Sequence, residues 1–358
     1  MAGLFEAFRL REATLPNRIA VSPMCQYSAG GDGVATDWHL VHLGGLAQGG
    51  AGLVLTEAAA VTPGGRISAE DLGIWNDAQA EALARINAFV ASQGAVPGIQ
   101  LAHAGRKAGS GAPWKGGGAP PPEWAGDAPS ALAFDEGWPV PKALDEGGLK
   151  GVVEAFRAGA ARALAAGFRV AEVHAAHGYL LHQFLSPLSN TRADAYGGSL
   201  PNPARLLLEV VDAVRGVWPE RLPLFVRLSC TDWAEGGWDL DECVELARML
   251  KDRGVDLLDC SSGGLVPKAR IAAGPGYQVP FAARIRREAG IPTGAVGLIT
   301  EPAQAEAVLA EGAADLVLLG RELLRNPRWP LAAARELGAV TPWPAPYARG
   351  SREQVPIR

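Results

Sequence analysis

Short, nearly continuous apolar runs alternate along the chain with longer segments that repeat at helical spacing. Runs of this kind are typical of strands buried on both faces of a parallel sheet. The predicted strands are Arg18–Met24, Gly52–Glu57, Val96–Ala102, Phe168–His174, Leu222–Leu228, Val255–Cys260, Ile291–Val296 and Ala314–Leu319. The predicted helices are Asp37–Gln48, Asp77–Ser92, Gly151–Ala166, Pro203–Val217, Leu240–Arg253, Val279–Glu288, Pro302–Glu311 and Pro327–Leu337.

One helix follows each strand, which predicts a (β/α)8 TIM barrel in the α/β class. Glycines such as Gly94, Gly167 and Gly254 come directly after helical segments, where a left-handed residue often ends a helix. The main alternative is an open doubly wound sheet, which usually carries a Gly-x-Gly-x-x-Gly turn after its first strand. That turn is absent after the first predicted strand, so we expect one barrel domain over residues 1–358.

A long segment rich in glycine and proline, Ala104–Lys150, follows the third predicted strand. Its composition argues against regular structure. Loops this long inside a compact domain are usually functional or mobile. We expect it to rise over the barrel mouth as a lid.

Composition and charge exclude several classes of function for this protein. Apolar residues make up 48% of the chain and charged residues 20%, which allows a large core. The net charge is −5, which argues against nucleic acid or an anionic membrane as the main partner. No signal-peptide pattern or membrane-spanning apolar run is present in the sequence, so we expect a cytoplasmic protein. Its four cysteines are widely spaced, which signals neither an iron–sulfur cluster nor structural zinc.

The fourth predicted strand ends in the densest group of polar aromatic side chains, His174, His177 and Tyr179. In a TIM barrel, residues that follow the strands line one pocket, so these three are candidates to bind and protonate a substrate. Two histidines three residues apart also raise the possibility of zinc. A zinc site needs three or four ligands, and adding His103 or Glu172 gives no established pattern, so we expect no metal.

Glycines follow the seventh and eighth predicted strands, where TIM barrels often bind phosphate. Gly297 and Gly320 would let backbone N–H groups approach phosphate oxygens, and Arg321 would add positive charge. Glycines at strand ends are also common in ordinary turns. Their presence after both strands favours a phosphate-bearing ligand.

Three other residues near the strand ends each allow two interpretations. Arg227 lies inside an apolar strand, either paired with a carboxylate such as Glu57 or stabilising negative charge on a ligand. Gln100 is either a hydrogen-bonded core amide or a partner of a planar heterocycle. Cys25 is either a buried thiol, the commoner case, or a contact of a redox cofactor.

Four segments together resemble the old yellow enzyme family of flavin-dependent ene-reductases, and the likeness extends from Leu4 to about Arg349. The combination of Cys25 with paired histidines resembles the thermophilic-like subclass. The segments that carry the resemblance are Ser22–Tyr27, Gly98–Lys107, His174–Leu180 and Asn190–Ser199.

The resemblance implies FMN at the barrel mouth, with NADPH or NADH as its transient reductant. It also implies roles for individual residues. Those expected to contact the flavin ring are Ser22, Pro23, Met24, Cys25, Ala58, Gln100 and Arg227, and those expected to hold its phosphate are Gly297, Gly320 and Arg321.

By the same resemblance, FMN passes hydride to the β-carbon of an α,β-unsaturated carbonyl or nitro compound. His174 and His177 would bind the activating oxygen, and Tyr179 would donate the proton. Tyr27 would close the substrate side. Arg349 would reach the neighbouring site of a homodimer or homotetramer. The rivals are an oxidising flavin enzyme, a cofactor-free isomerase or lyase, and a non-catalytic flavin-binding protein.

Overall fold

Eight parallel strands close into a barrel in the computed structural model, which describes residues 3–351 and 355–357. This confirms the predicted fold. The strands in chain order are β1 Phe8–Leu10, β2 Ala13–Leu15, β3 Ile19–Val21, β4 Leu53–Ala60, β5 Val96–Ala102, β6 Asp127–Ala128, β7 Lys142–Ala143, β8 Val170–Ala175, β9 Leu224–Ser229, β10 Leu257–Ser261, β11 Thr293–Ala295 and β12 Leu316–Leu319. The barrel runs β3-β4-β5-β8-β9-β10-β11-β12 and returns to β3.

Helices surround the barrel and bury their apolar faces against it. They are α1 Asp37–Gln48, α2 Asp77–Ser92, α3 Glu146–Ala165, α4 Leu180–Leu185, α5 Arg205–Arg215, α6 Leu240–Asp252, α7 Val279–Ala289, α8 Pro302–Ala310, α9 Arg321–Arg325 and α10 Trp329–Glu336. The bounds of α1 and α2 agree with the prediction at both ends. The short helices α4 and α9 were not predicted, because they occupy loop positions directly after β8 and β12.

An antiparallel hairpin, β1 with β2, covers the end of the barrel opposite the candidate site. Leu15 of this hairpin is 1% exposed and packs with barrel-interior residues such as Leu53, Phe225 and Leu257. Sealing this end with apolar side chains leaves the carboxyl ends of the strands as the accessible mouth.

The insertion after β5 contains more regular structure than its composition suggested. It forms three short 3₁₀ helices and the small parallel pair of β6 with β7, and α3 already begins at Glu146. Trp114 of the insertion contacts the Tyr27 ring edge-to-face, with 5.3 Å between ring centroids. The indole N–H of Trp124 donates to the Gly64 carbonyl at 3.2 Å. The insertion therefore packs against loops that follow β3 and β4.

Within the described residues, no helix is long and apolar enough to cross a membrane.

Candidate active site

Strand register places the inward-facing residues of five neighbouring strands side by side. Ala58 on β4 pairs with Gln100 on β5, which pairs with Glu172 on β8. One step closer to the mouth, His174 on β8 pairs with Arg227 on β9, and Arg227 pairs with Asp259 on β10. Residues far apart in sequence thus form one polar layer below the mouth.

Arg227 is 5% exposed and is compensated from two sides. Its Nε lies 2.9 Å from Asp259 Oδ2, and its other end donates to the Ser22 hydroxyl at 3.0 Å. The possible pairing with Glu57 is wrong. Parallel register brings Asp259 beside Arg227, whereas Glu57 lies on β4.

Glu57 instead anchors the loop that follows β3. Its Oε2 accepts the backbone N–H of Gln26 at 2.9 Å, and its Oε1 lies 3.1 Å from Nε2 of the buried His39. The Thr36 N–H donates to Nδ1 of His39, so the imidazole proton is on Nε2 and points to Glu57. This buried pair fixes the position of Cys25 and Tyr27 at the mouth.

The turn between β8 and α4 brings three aromatic rings together. His177 and Gly178 both have left-handed backbone, with φ of 58° and 72°. Gly178 is required because a Cβ there would lie 2.1 Å from the Gly264 carbonyl oxygen. As a result, the His174 ring meets the rings of His177 and Tyr179 edge-to-face, with centroids 5.2 and 5.0 Å apart.

His174 is held as a neutral hydrogen-bond donor. Its Nδ1 accepts the Ala176 backbone N–H at 3.2 Å, which leaves the ring proton on Nε2. Burial, followed by the charge of Arg227, lowers the pKa of His174 well below its usual value. The same two causes lower the pKa of His177. Both rings are therefore neutral at physiological pH.

His177 has a partner that sequence reasoning did not assign. Its Nε2 lies 2.7 Å from the Ser261 hydroxyl, at the end of β10. If that hydroxyl donates to Nε2, the ring proton is on Nδ1, which remains available as a donor. The backbone N–H of His177 also donates to the Ser229 hydroxyl at 2.9 Å.

Tyr179 lies in a mainly apolar cluster with Cys25, Ala58, Ala102 and other small residues. Burial is the main reason that the pKa of Tyr179 is raised well above its usual value, so the phenol stays protonated. The Lys107 ammonium lies 4.8 Å from the centre of the Tyr179 ring. It also donates to the His177 carbonyl at 2.8 Å and thereby braces the left-handed turn.

Cys25 and Tyr27 complete this side of the mouth. Burial, then the nearby Asp71 and Glu57, raises the pKa of the Cys25 thiol well above its usual value. The pKa of Tyr27 is raised for the same leading reason. Both side chains are therefore uncharged at neutral pH.

A cavity of about 250 Å³ opens at the ends of β11 and β12. Gly297, Gly320 and Arg321 line it together with residues such as Ser261 and Gln278. A Cβ at Gly320 would lie 3.6 Å from Met24 Sδ and 3.9 Å from Ser22 Cβ. Gly320, on the wall of the cavity, therefore lies next to the loop that contains Ser22, the partner of Arg227.

One predicted site residue lies apart from the others. Arg349 is exposed, in the 3₁₀ helix Ala345–Gly350, and that segment packs against the rest of its own chain through Tyr347 stacked on Arg328.

Within residues 3–351 and 355–357, no group of three or more His, Cys, Asp or Glu residues is arranged to hold a metal. His174 and His177 have Ala176 and Ser261 as neighbours instead.

A model of the NADH:flavin oxidoreductase / NADH oxidase family matches residues 3–339 of the chain. The chain belongs to this family. Among curated relatives, the NADPH dehydrogenase of Geobacillus thermodenitrificans is 52% identical over 352 residues, which cover 98% of each chain. The NADPH dehydrogenase of Bacillus subtilis is 48% identical over 350 residues, covering 97% of this chain and 98% of the relative.

Solved structures of family members share the barrel. Morphinone reductase aligns with a TM-score of 0.79 and 31% identity, over 94% of this chain and 90% of its own. The old yellow enzyme homologue from Zymomonas mobilis aligns with a TM-score of 0.79 and 27% identity, over 94% and 93% of the two chains. The chain is thus an old yellow enzyme family member and an FMN-dependent NADPH dehydrogenase.

The polar layer and the cavity fit FMN in three respects. Arg227 offers a buried cation beneath the mouth, which suits a ring that gains electrons. Gln100 offers a buried amide for a heterocycle. In the cavity at β11 and β12, the backbone of Gly297 and Gly320 is not covered by side chains and lies beside Arg321, which suits a phosphate.

We expect Gly297→Ala to weaken FMN binding. Gly297 has φ of 132°, and a Cβ there would lie 3.2 Å from atoms of Tyr277 and Gln278. Because both the backbone and the cavity would be strained, we expect FMN affinity to fall roughly tenfold, equivalent to ~1.4 kcal/mol. Flavin fluorescence quenching measures the dissociation constant.

The matched control is Gly151→Ala, on α3, where a Cβ would meet nothing within 4 Å. This variant should bind FMN as the parent does. Unchanged FMN affinity in Gly297→Ala would place the phosphate elsewhere.

Proposed function

We propose that the enzyme is an ene-reductase that reduces the carbon–carbon double bond of α,β-unsaturated carbonyl or nitro compounds at the expense of NAD(P)H. The observation that carries the proposal is the three-ring group at the end of β8. It combines two neutral imidazoles with one protonated phenol, their rings in edge-to-face contact. Such a set can donate hydrogen bonds and one proton without carrying charge itself.

In this proposal, FMN would lie at the barrel mouth. Ser22, Pro23, Met24, Cys25, Ala58, Gln100 and Arg227 would surround the ring, and Gly297, Gly320 and Arg321 would bind the phosphate. When bound there, FMN would supply the redox chemistry, the transfer of hydride from NAD(P)H to the β-carbon of the alkene.

The protein supplies orientation and electrostatics. His174 would donate from Nε2 to the activating oxygen of the substrate, and His177 from Nδ1. Donors placed in advance typically lower the barrier by ~3 kcal/mol. They stabilise the enolate that forms as the β-carbon is reduced. Neutral imidazoles suit this role, because they polarise the oxygen without protonating it.

Tyr179 would deliver the proton to the α-carbon. Its raised pKa keeps the phenol fully protonated over the physiological range. The enolate carbon is basic enough to accept a proton from a weak acid. Lys107, beside the ring, would stabilise the negative charge left on the phenolate.

Arg349 would complete the substrate site of a neighbouring subunit in a homodimer or homotetramer. Its exposed position supports a role outside its own site. An exposed apolar surface near Gln26 supports association: Trp38, Val41 and Leu324 are 55%, 72% and 48% exposed. Patches of this kind often mark protein interfaces.

We expect Tyr179→Phe to separate the two half-reactions. Loss of the proton donor should slow reoxidation of the reduced enzyme by cyclohexenone at least ~100-fold, since general acids contribute factors of this size. Reduction by NADPH should stay within about twofold, because it needs no proton from Tyr179. Anaerobic stopped-flow absorbance measures both rates.

Tyr196→Phe is the matched control, since its hydroxyl contacts Glu209 rather than the mouth. That variant should leave both rates unchanged. Equal slowing of both half-reactions in Tyr179→Phe would remove Tyr179 from the proton-donor role.

We expect Arg349→Ala to raise the KM for the alkene. Combining this variant with Tyr179→Phe in one oligomer tests whether subunits share sites. A mixed dimer of Arg349→Ala with Tyr179→Phe would contain one site with both residues intact. Coexpression should therefore restore activity above the sum of the two variants. Arg157→Ala, an exposed site on α3, is the control for the KM. An unchanged KM, or no restoration, would contradict a shared site.

A further inference from the structure

Two carboxyl groups and one guanidinium are enclosed together inside the barrel. Glu172 and Asp259 are both 0% exposed, and Arg227 is 5% exposed. Asp259 lies against Arg227, with Oδ2 2.9 Å from Nε. Full ionisation would leave two buried anions against one cation, an excess negative charge away from water. Burial of such a charge is so costly that proteins usually neutralise it with a proton.

The contacts of Glu172 indicate which carboxyl carries that proton. Its Oε1 accepts the side-chain N–H of Gln100 at 2.8 Å, and its buried Oε2, like both buried oxygens of Asp259, has no hydrogen-bond partner. Asp259 has the close cation, whereas Glu172 has only a neutral amide. A proton on Glu172 Oε2 removes the charge that is least compensated.

We propose that Glu172 is a positioning residue, held as a neutral carboxylic acid beneath Gln100 and Arg227, whose proton preserves the positive field of Arg227 toward the FMN ring. An ionised Glu172 would give Arg227, Asp259 and Glu172 together a net charge of −1 and disfavour electron density on the ring. The inference rests on the proposed placement of FMN against Gln100 and Arg227.

The surrounding groups act on the pKa of Glu172 in opposite directions, and the balance raises it. Burial, then the charge of Asp259 on β10, raises the pKa of Glu172 to about 8. Arg227 on β9 lowers that pKa by a smaller amount. The hydrogen bond from the uncharged Gln100 on β5 also lowers it, and His174 on β8 is neutral. On α4, His182 is in contact with Asp232 at 2.9 Å.

The sign of the pH effect follows from the direction of this shift. Below the pKa of Glu172, the side chain is neutral and resembles glutamine. Above that pKa, oxidised enzyme has an anionic Glu172, and reduction then draws one proton from solvent onto Oε2. The reduction equilibrium therefore falls with pH more steeply than it would without this group.

The test compares holoenzyme with Glu172→Gln from pH 6 to pH 10 in two measurements. At pH 6, the parent holoenzyme and the Glu172→Gln variant should have the same FMN midpoint potential. At higher pH, the potential of the parent should fall more steeply than that of the variant. The extra fall should be up to tenfold in the reduction equilibrium per pH unit, or about 30 mV for a two-electron couple. Infrared difference spectra between the pH extremes should show a carboxylic-acid C=O band in the parent that Glu172→Gln lacks.

Asp71→Asn is the matched infrared control, because Asp71 is another buried acid, with its pKa raised to about 7 by burial. That variant should retain the Glu172 band. Identical infrared spectra for Glu172→Gln and the parent would overturn the proposal. A Glu172 band with parallel potentials would also overturn it, and would place FMN away from Gln100 and Arg227 without bearing on alkene reduction by Tyr179.

Asp259→Asn keeps the test decisive if Glu172→Gln does not fold or bind FMN. Without Asp259, Glu172 becomes the nearest carboxylate to Arg227 and should ionise at lower pH. Its infrared band should therefore be lost at lower pH than in the parent. A band that titrates at the same pH would contradict the shared-proton arrangement.

Discussion

The barrel must compensate a guanidinium buried in its own interior, and the site is built around that requirement. Arg227 is almost completely shielded from water, so its charge is balanced by Asp259 and Ser22 and, in the proposed arrangement, by a bound flavin ring. A cation that the protein alone satisfied would have little attraction left for a ligand. In the proposed arrangement, the second carboxyl, Glu172, stays neutral, and the buried group therefore carries no excess negative charge that would oppose the attraction of Arg227 for a ligand at the mouth.

The same burial sets the chemistry of the aromatic group above Arg227. Loss of water, together with the nearby cation, lowers the pKa of His174 and His177, while burial raises that of Tyr179. All three side chains are thereby uncharged donors. A hydride acceptor that becomes negative at oxygen is well matched to such donors. Specificity for activated alkenes would then come from the need for an oxygen that His174 and His177 can bind.

Much of the fold was predictable from the sequence, because parallel barrel strands are apolar on both faces and helices have marked ends. Short elements were less predictable. The hairpin β1–β2 and the helix α4 depend on packing against the finished barrel. The insertion was expected to lack regular structure, yet it docks through Trp114 and Trp124. Those contacts depend on loops distant in sequence, which local composition does not encode.

The candidate site, like the fold, could be predicted from the sequence only in part. The grouping of His174, His177 and Tyr179 follows from their closeness in sequence, and the glycines after β11 and β12 follow from barrel geometry. The partners of these residues were harder to find. Asp259 pairs with Arg227 only because of strand register, and Ser261 meets His177 from another strand. A serine or aspartate inside a strand carries no sequence signal that identifies such a partner.

The most direct test of alkene reduction is an anaerobic turnover followed in visible light. The purified holoenzyme should be yellow, lose its colour on addition of NADPH, and regain it when cyclohexenone is added, with one cyclohexanone formed per NADPH consumed. A protein that NADPH bleaches but cyclohexenone does not reoxidise would contradict the proposed function. Recovery of colour without cyclohexanone would contradict it equally.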